Sequence, residues 1–378
     1  MQPERTSIVN RQEEQHVQSL PRRRFCKWLA AGALVSGQRV LLASPANTKP
    51  ELSRGDRLKV AAIQMTPQLG AVDANLAQAE QLVREAAAKD VALVILPEMF
   101  TSAAAFHESM VKAIRPLDGA PAQLLRDLAR QENIILGGSF LAEDAGRVYN
   151  SFLLVLPDGT AFLHDKDFPT YWEACYYEKG NDDGVLPTPL GPLGVALCWE
   201  MVRSQTARRL AGKIRLLIAG STWWTLPDEA GPDHPLRAVN HDMLVEAPPR
   251  LARMLGVPVI HASHAGPFAG YDSPELPDVP YRSVYLGEAM ITDSTGKILA
   301  RRSMREGPGV VVADVVVAEE PKPSEAIPER FWLPEQMPQE WIDAWHRWFP
   351  RGEDYYNTVT LPYLASGEIE EYVPSYLR

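Results

Sequence analysis

The sequence predicts an α/β fold built on one large sheet system or two. Three observations carry this reading. Short apolar runs rich in β-forming residues alternate with amphipathic segments of helical period, and these runs stop at turn residues or at charged and thiol side chains. At 46% hydrophobic against 23% charged residues, the 378-residue chain also has enough apolar material for a large core. The same composition narrows function. Lys and Arg number 38 against 48 Asp and Glu, a net charge of −10, which disfavours an electrostatic hold on nucleic-acid phosphates. No uninterrupted apolar stretch reaches the roughly 18 residues of a membrane span, so stable membrane insertion of the mature chain is not expected. Cys26, Cys175 and Cys198 include no close pair, which leaves neither a disulfide framework nor a cysteine-based zinc site.

Residues 58–65 are apolar and β-compatible. Asp73 is then placed to N-cap a helix over 74–89 whose Leu76, Ala79, Leu82, Val83 and Ala86 form one stripe. Residues 91–96 are continuously apolar, as in a strand covered on both faces, and stop at Pro97-Glu98. A helix over 121–131 leads into a strand at 134–138, and strands at 148–156 and 160–164 flank the turn Pro157-Asp158-Gly159 as a hairpin. The strand 193–197 ends at Cys198-Trp199-Glu200, with a helix over 204–211 behind it. Further strands are expected at 216–219, 257–262, 284–291, 297–301 and 310–317, with a helix around 243–255 broken or kinked at Pro248-Pro249.

The two ends differ from this body. Residues 1–21 are polar, and Arg22-Arg23-Arg24-Phe25-Cys26-Lys27 precedes a moderately apolar run over 28–37, a pattern that resembles a twin-arginine export signal. Ser44-Pro45-Ala46 offers small residues for a peptidase. Residues 1–46 are therefore expected to be a signal that sends the protein to the periplasm, the alternative being a basic arm that stays in the cytoplasm. From 321 to 378 repeated prolines accompany Trp332, Trp341, Trp345 and Trp348, and only 340–348 reads as helix. This extension is expected to wrap the body, residues 47–320, or a partner subunit.

Chemistry gathers at three places. Glu98 follows a buried strand and a proline that cannot continue the ladder; alone it would be a solvated loop residue. Lys166 follows the strand ending at His164, with Glu173 seven residues on; alone the pair would be a surface salt bridge. Cys198 sits at a strand-to-helix turn that would lift a thiol out of the sheet; alone it would be a packed, inert side chain.

Taken together and in this order, these segments resemble the nitrilase, or carbon–nitrogen hydrolase, superfamily. The resemblance spans about residues 58–317. It includes Leu96-Pro97-Glu98-Met99-Phe100, Tyr149-Asn150-Ser151, the Lys166 segment closing with Tyr176-Tyr177 and Gly180-Asn181, Leu197-Cys198-Trp199-Glu200, and Ala219 to Trp224. It implies a four-layer αββα sandwich, usually paired into a homodimer or larger homo-oligomer, and a thiol hydrolase that needs no cofactor or metal. Cys198 would be the nucleophile, Glu98 its general base and Lys166 the electrophilic partner, helped by the backbone amide of Trp199. Glu173, which has the family spacing Glu-x-x-Tyr-Tyr-x-x-Gly where Glu178 does not, would hold Lys166. A free thiol with a pKa of about 8.5 needs such a base at neutral pH.

Trp172, Trp199, Trp223, Trp224 and His264 are candidates for the pocket wall, with core packing as the alternative. His241 and His261 read as structural, and Cys175 as a packed thiol. The substrate is expected to be a small or medium linear amide. Met201-Val202-Arg203-Ser204 departs from the continuation usual in the nitrilase branch, which makes a nitrile the second reading and a catalytically silent binding module the third.

Overall fold

The computed structural model describes residues 40–41, 57–274 and 276–367. The arginine run at 22–24, the apolar segment behind it and the cleavage position at Ala46 lie outside them. In chain order the first half supplies β1 (Val40–Leu41), β2 (Arg57–Met65), α1 (Val72–Ala87), β3 (Leu93–Ile95), α2 (Ser109–Lys112), β4 (Arg115–Pro116), α3 (Ala120–Glu132), β5 (Ile135–Asp144), β6 (Arg147–Val155) and β7 (Ala161–Asp165). The second half supplies β8 (Val185–Thr188), β9 (Gly191–Leu197), α4 (Ser204–Leu210), β10 (Leu216–Ser221), α5 (Pro235–Leu255), β11 (Val259–Ser273), β12 (Leu276–Thr292), β13 (Ile298–Ser303) and β14 (Gly309–Val316). Helices α6 (Gln339–Tyr355) and α7 (Leu361–Ala365) follow.

Strands β1-β7-β6-β5-β3-β2 run in that order and β14 returns antiparallel to β2; β8-β9-β10-β11-β12-β13 form the other half. Among the described strands the halves pair where β2 meets β11, at Gln64 with Ser263 and Met65 with His264, and Phe106 adds an isolated bridge to Tyr271 of β11. Strand alternation builds the layers. Ala61, Ile63 and Met65 of β2 face the stripe of α1 and Leu125 and Leu128 of α3, whereas Leu58, Val60 and Ala62 face the interior between the sheets, which Val195, Ile218 and Ile260 share. From the other sheet, Leu217 and Ala219 pack under Leu244, Leu251 and Leu255 of α5. The result is the four-layer αββα sandwich, and each fully buried aliphatic side chain contributes about 1.5–3 kcal/mol to holding it.

Several boundaries differ from expectation. Asp73 lies in the first turn of α1, where the helix dipole favours a carboxylate, and Ala71 is the N-cap. Helix α5 starts at Pro235 and passes unbroken through Pro248 and Pro249, because burial of Leu244 and Leu251 on either side outweighs two missing backbone donors. Strands β11 and β12 extend far beyond 262 and 284 as a ribbon that tolerates Pro267 and Pro280. Helix α6 runs well past 348, through Pro350. At Gly352 a Cβ would come within 2.6 Å of Ala174, so only glycine lets α6 lie directly on the 3₁₀ turn Tyr171–Cys175. The extension thus packs on the body of its own chain. Among the described residues no helix is long and apolar enough to cross a membrane.

Candidate active site

Glu98 follows β3 through Leu96 and Pro97 and is fully buried. Its placement depends on Gly220 of β10, where a Cβ would stand 2.8 Å from the Glu98 nitrogen, so the end of one sheet can press against the other. The carboxylate is held by four hydrogen bonds from three segments. Oε1 accepts from Asn150 Nδ2 at 2.9 Å and Lys166 Nζ at 2.8 Å, and Oε2 accepts from the backbone N and the hydroxyl of Thr222 at 3.0 and 2.7 Å. Behind it, His264 Nε2 donates to the Glu98 carbonyl at 2.9 Å; burial lowers this imidazole to about 4, so it is neutral.

Lys166 leaves the end of β7 into the same buried volume. Its ammonium also donates to Glu173 Oε2 at 2.8 Å, and that oxygen accepts from Thr170 N at 2.9 Å and from the Tyr177 hydroxyl. Burial disfavours the lysine charge, but Glu173 and Glu98 outweigh it and hold the ammonium well above the ordinary lysine range. Burial raises the Glu173 carboxyl, and Lys166 offsets only part of that. Two of the three ammonium protons are engaged, which leaves one for a substrate atom.

Cys198 follows β9 and opens the 3₁₀ turn Cys198–Val202 with φ of 50°, a left-handed conformation uncommon for a side chain with a Cβ. Glu200 Oε2 fixes that turn by accepting from Leu197 N at 2.7 Å. Burial and then the charge of Glu98 push the thiol well up, while Lys166 and the Trp199 N–H pull it down by less. The resting sulfur is therefore protonated, beside the carboxylate and ammonium whose charges act on it.

Above Cys198 opens a cavity of about 230 Å³. Trp172, Trp199, Trp223 and Trp224 all line it, together with Tyr171 and Tyr281; Trp172 stacks on Trp224 with centroids 4.9 Å apart. Trp341, Ala344 and Trp348 of α6 complete the wall. His264 lies elsewhere: its position at the β2–β11 junction turns its ring to the backbone of Glu98 and away from the cavity lining. Cys175 is buried with its thiol pushed up by burial, and Glu178 pairs with Arg147 near the surface.

Asn150, in the first half of β6, and Thr222, directly after β10, carry no assigned role in the sequence reading. A second buried cluster also escaped it. His164 lies between Asp182 at 2.6 Å and Glu200 at 3.2 Å, Asp167 binds Arg203 at 2.6 Å and Arg209 at 2.7 Å, and Arg209 reaches Glu200 at 2.7 Å.

Fold and site together define an αββα sandwich with a buried Glu–Lys–Glu set against a strand-end thiol. The Carbon-nitrogen hydrolase family model matches residues 59–320, and the chain belongs to that family of hydrolases acting on carbon–nitrogen bonds other than peptide bonds. It is 29% identical to a nitrilase of Pyrococcus abyssi over 54% of this chain and 80% of that protein. It is 26% identical to an N-carbamoylputrescine amidase of Arabidopsis thaliana over 61% of this chain and 77% of that protein. Its fold matches a mutant amidase from Nesterenkonia sp. AN1, solved after Michael addition of acrylamide at the active-site cysteine, with a TM-score of 0.52 and 19% identity over 68% of this chain and 92% of that one.

Proposed function

We propose that this protein hydrolyses a small or medium linear amide through a thioester on Cys198. The observation that carries the reading is the direct bonding of Lys166 to both Glu98 and Glu173 beside a thiol held at the floor of a cavity. Glu98 takes the thiol proton as sulfur attacks the carbonyl carbon. Each of its oxygens already accepts two hydrogen bonds, so one must yield, and the Thr222 hydroxyl is free to turn. Negative charge then collects on the carbonyl oxygen, opposite the remaining Lys166 N–H and the Trp199 amide. Collapse breaks the carbon–nitrogen bond, the amine departs with the proton from Glu98, and water deprotonated by Glu98 cleaves the thioester to the acid.

Amidase relatives and an amidase fold neighbour support the amide. The Pyrococcus relative supports a second reading, in which a nitrile passes through a thioimidate and releases ammonia and acid. A panel of linear amides and matched nitriles, scored for ammonia and by intact mass for an acyl adduct, tests both. The expected result is amide turnover with an adduct absent from Cys198→Ala and nitriles left intact; unchanged turnover in that variant overturns the mechanism. Export through the N-terminal arginine segment and assembly into a homodimer belong to the same proposal, checked by cell fractionation and by mass in solution.

A further inference from the structure

We propose that the cavity above Cys198 is built for a substrate whose non-reacting end is a cation, held between aromatic faces and the carboxylate of Asp272. The inference deepens the amide reading and rests on it for the reaction, while the cation site itself stands on the cavity.

Aromatic residues line much of this space: the Trp172–Trp224 stack, Tyr281, and Trp341 and Trp348 from α6. Ring faces carry negative potential and attract ammonium or guanidinium groups, by about 0.5–2 kcal/mol depending on how far water is excluded. Asp272 is the one charged side chain among the residues lining the cavity. It stands where the pairing of β11 with β12 slips between Tyr271 and Ser273, and such a bulge releases one residue from the ladder and re-aims its side chain. Among the described residues nothing donates a hydrogen bond to its carboxylate and no cation pairs with it. Arg237, whose charge reaches Tyr281, donates instead to the carbonyls of Gly231, Leu226 and Pro227. A half-buried carboxylate facing an aromatic box repels an anionic substrate and gains from a cationic one. Trp341 and Trp348 lie beyond the family-matched residues 59–320, so part of this aromatic enclosure comes from the chain's own extension laid over the family fold.

The test compares three amides of one length: 4-aminobutanamide, its neutral isostere pentanamide, and the anionic monoamide of succinic acid. The expected order of kcat/KM is cationic, neutral, anionic, with about tenfold between the first two carried mainly by KM. Asp272→Asn should collapse the cationic-to-neutral ratio toward one. Pentanamide hydrolysed as well as 4-aminobutanamide, or the anionic amide preferred, overturns the inference and leaves the amide reading standing. Calorimetric binding to Cys198→Ala separates the two claims. If no amide is turned over yet that variant binds 4-aminobutanamide well above pentanamide, the reaction reading falls and the cation site holds; equal binding of the two removes the cation site.

Discussion

Two buried charge clusters flank the turn that carries Cys198, built from similar residue types at similar depth. In one, Glu98 and Glu173 share the single ammonium of Lys166, and Glu173 Oε1 and Asn150 Oδ1 have no partner among the described residues. In the other, three acids (Asp167, Asp182 and Glu200) meet three cations (His164, Arg203 and Arg209). Burial works against a charged His164, but Glu200 and Asp182 outweigh it and raise it to about 10, so it is an imidazolium at neutral pH. The difference teaches what burial of charge does in this fold. Where acids and cations balance and close on one another the cluster braces the turn, and where the balance is left uneven beside a cavity the same groups are available to a substrate.

Lys166→Met is the harshest way to break this contrast. It leaves two buried carboxylates facing each other, so stability should fall by about 3–5 kcal/mol in urea unfolding. Amide hydrolysis, read as ammonia release from the folded fraction, should drop on the order of 10³-fold. Substantial activity in that variant would remove Lys166 from the chemistry.

Glu200→Gln sharpens the contrast from the other side. It strands Arg209 and His164 without their shared carboxylate and should cost about 3 kcal/mol in the same unfolding experiment. Its kcat should fall no more than about tenfold, because Glu200 acts on the turn and not on the reacting atoms. A loss as deep as that of Lys166→Met would make the second cluster catalytic.

The smallest effect expected is one of pH. The folded His164 lies above the ordinary histidine value of 6.5, so the stability it contributes is complete below about 6.5 and drains away as pH climbs toward 10. The gap in Tm between wild type and His164→Gln should therefore narrow across that window. A gap that stays constant would mean a neutral His164.

Much of this was legible along the chain because its signals are local. The stripe of α1, the apolar run before Glu98 and the hairpin around Pro157-Asp158-Gly159 each sit within one element, and the ordered motifs pointed to Glu98, Lys166, Glu173 and Cys198 before any contact was known. What escaped depends on pairings with no local signature. Asp167 finds Arg203, and His164 finds Glu200, only where the end of β7 meets the Cys198–Val202 turn. The β11–β12 ribbon runs through Gly266, Pro267 and Pro280, residues that disfavour a strand on local grounds, and the bulge at Asp272 has no local signature. Pro350 and Gly352 hid the length of α6 in the same way, although Gly352 is where that helix makes its closest approach to the body.

The wall contributed by Trp341, Ala344 and Trp348 also orders events in time. Both sheets and the residues Glu98, Lys166 and Cys198 precede residues 341–348 along the chain, so synthesis from the N-terminus makes the wall last. A protein cut short by proteolysis before α6 would keep Glu98, Lys166, Cys198 and Asp272 but lose the part of the cavity wall that Trp341, Ala344 and Trp348 supply.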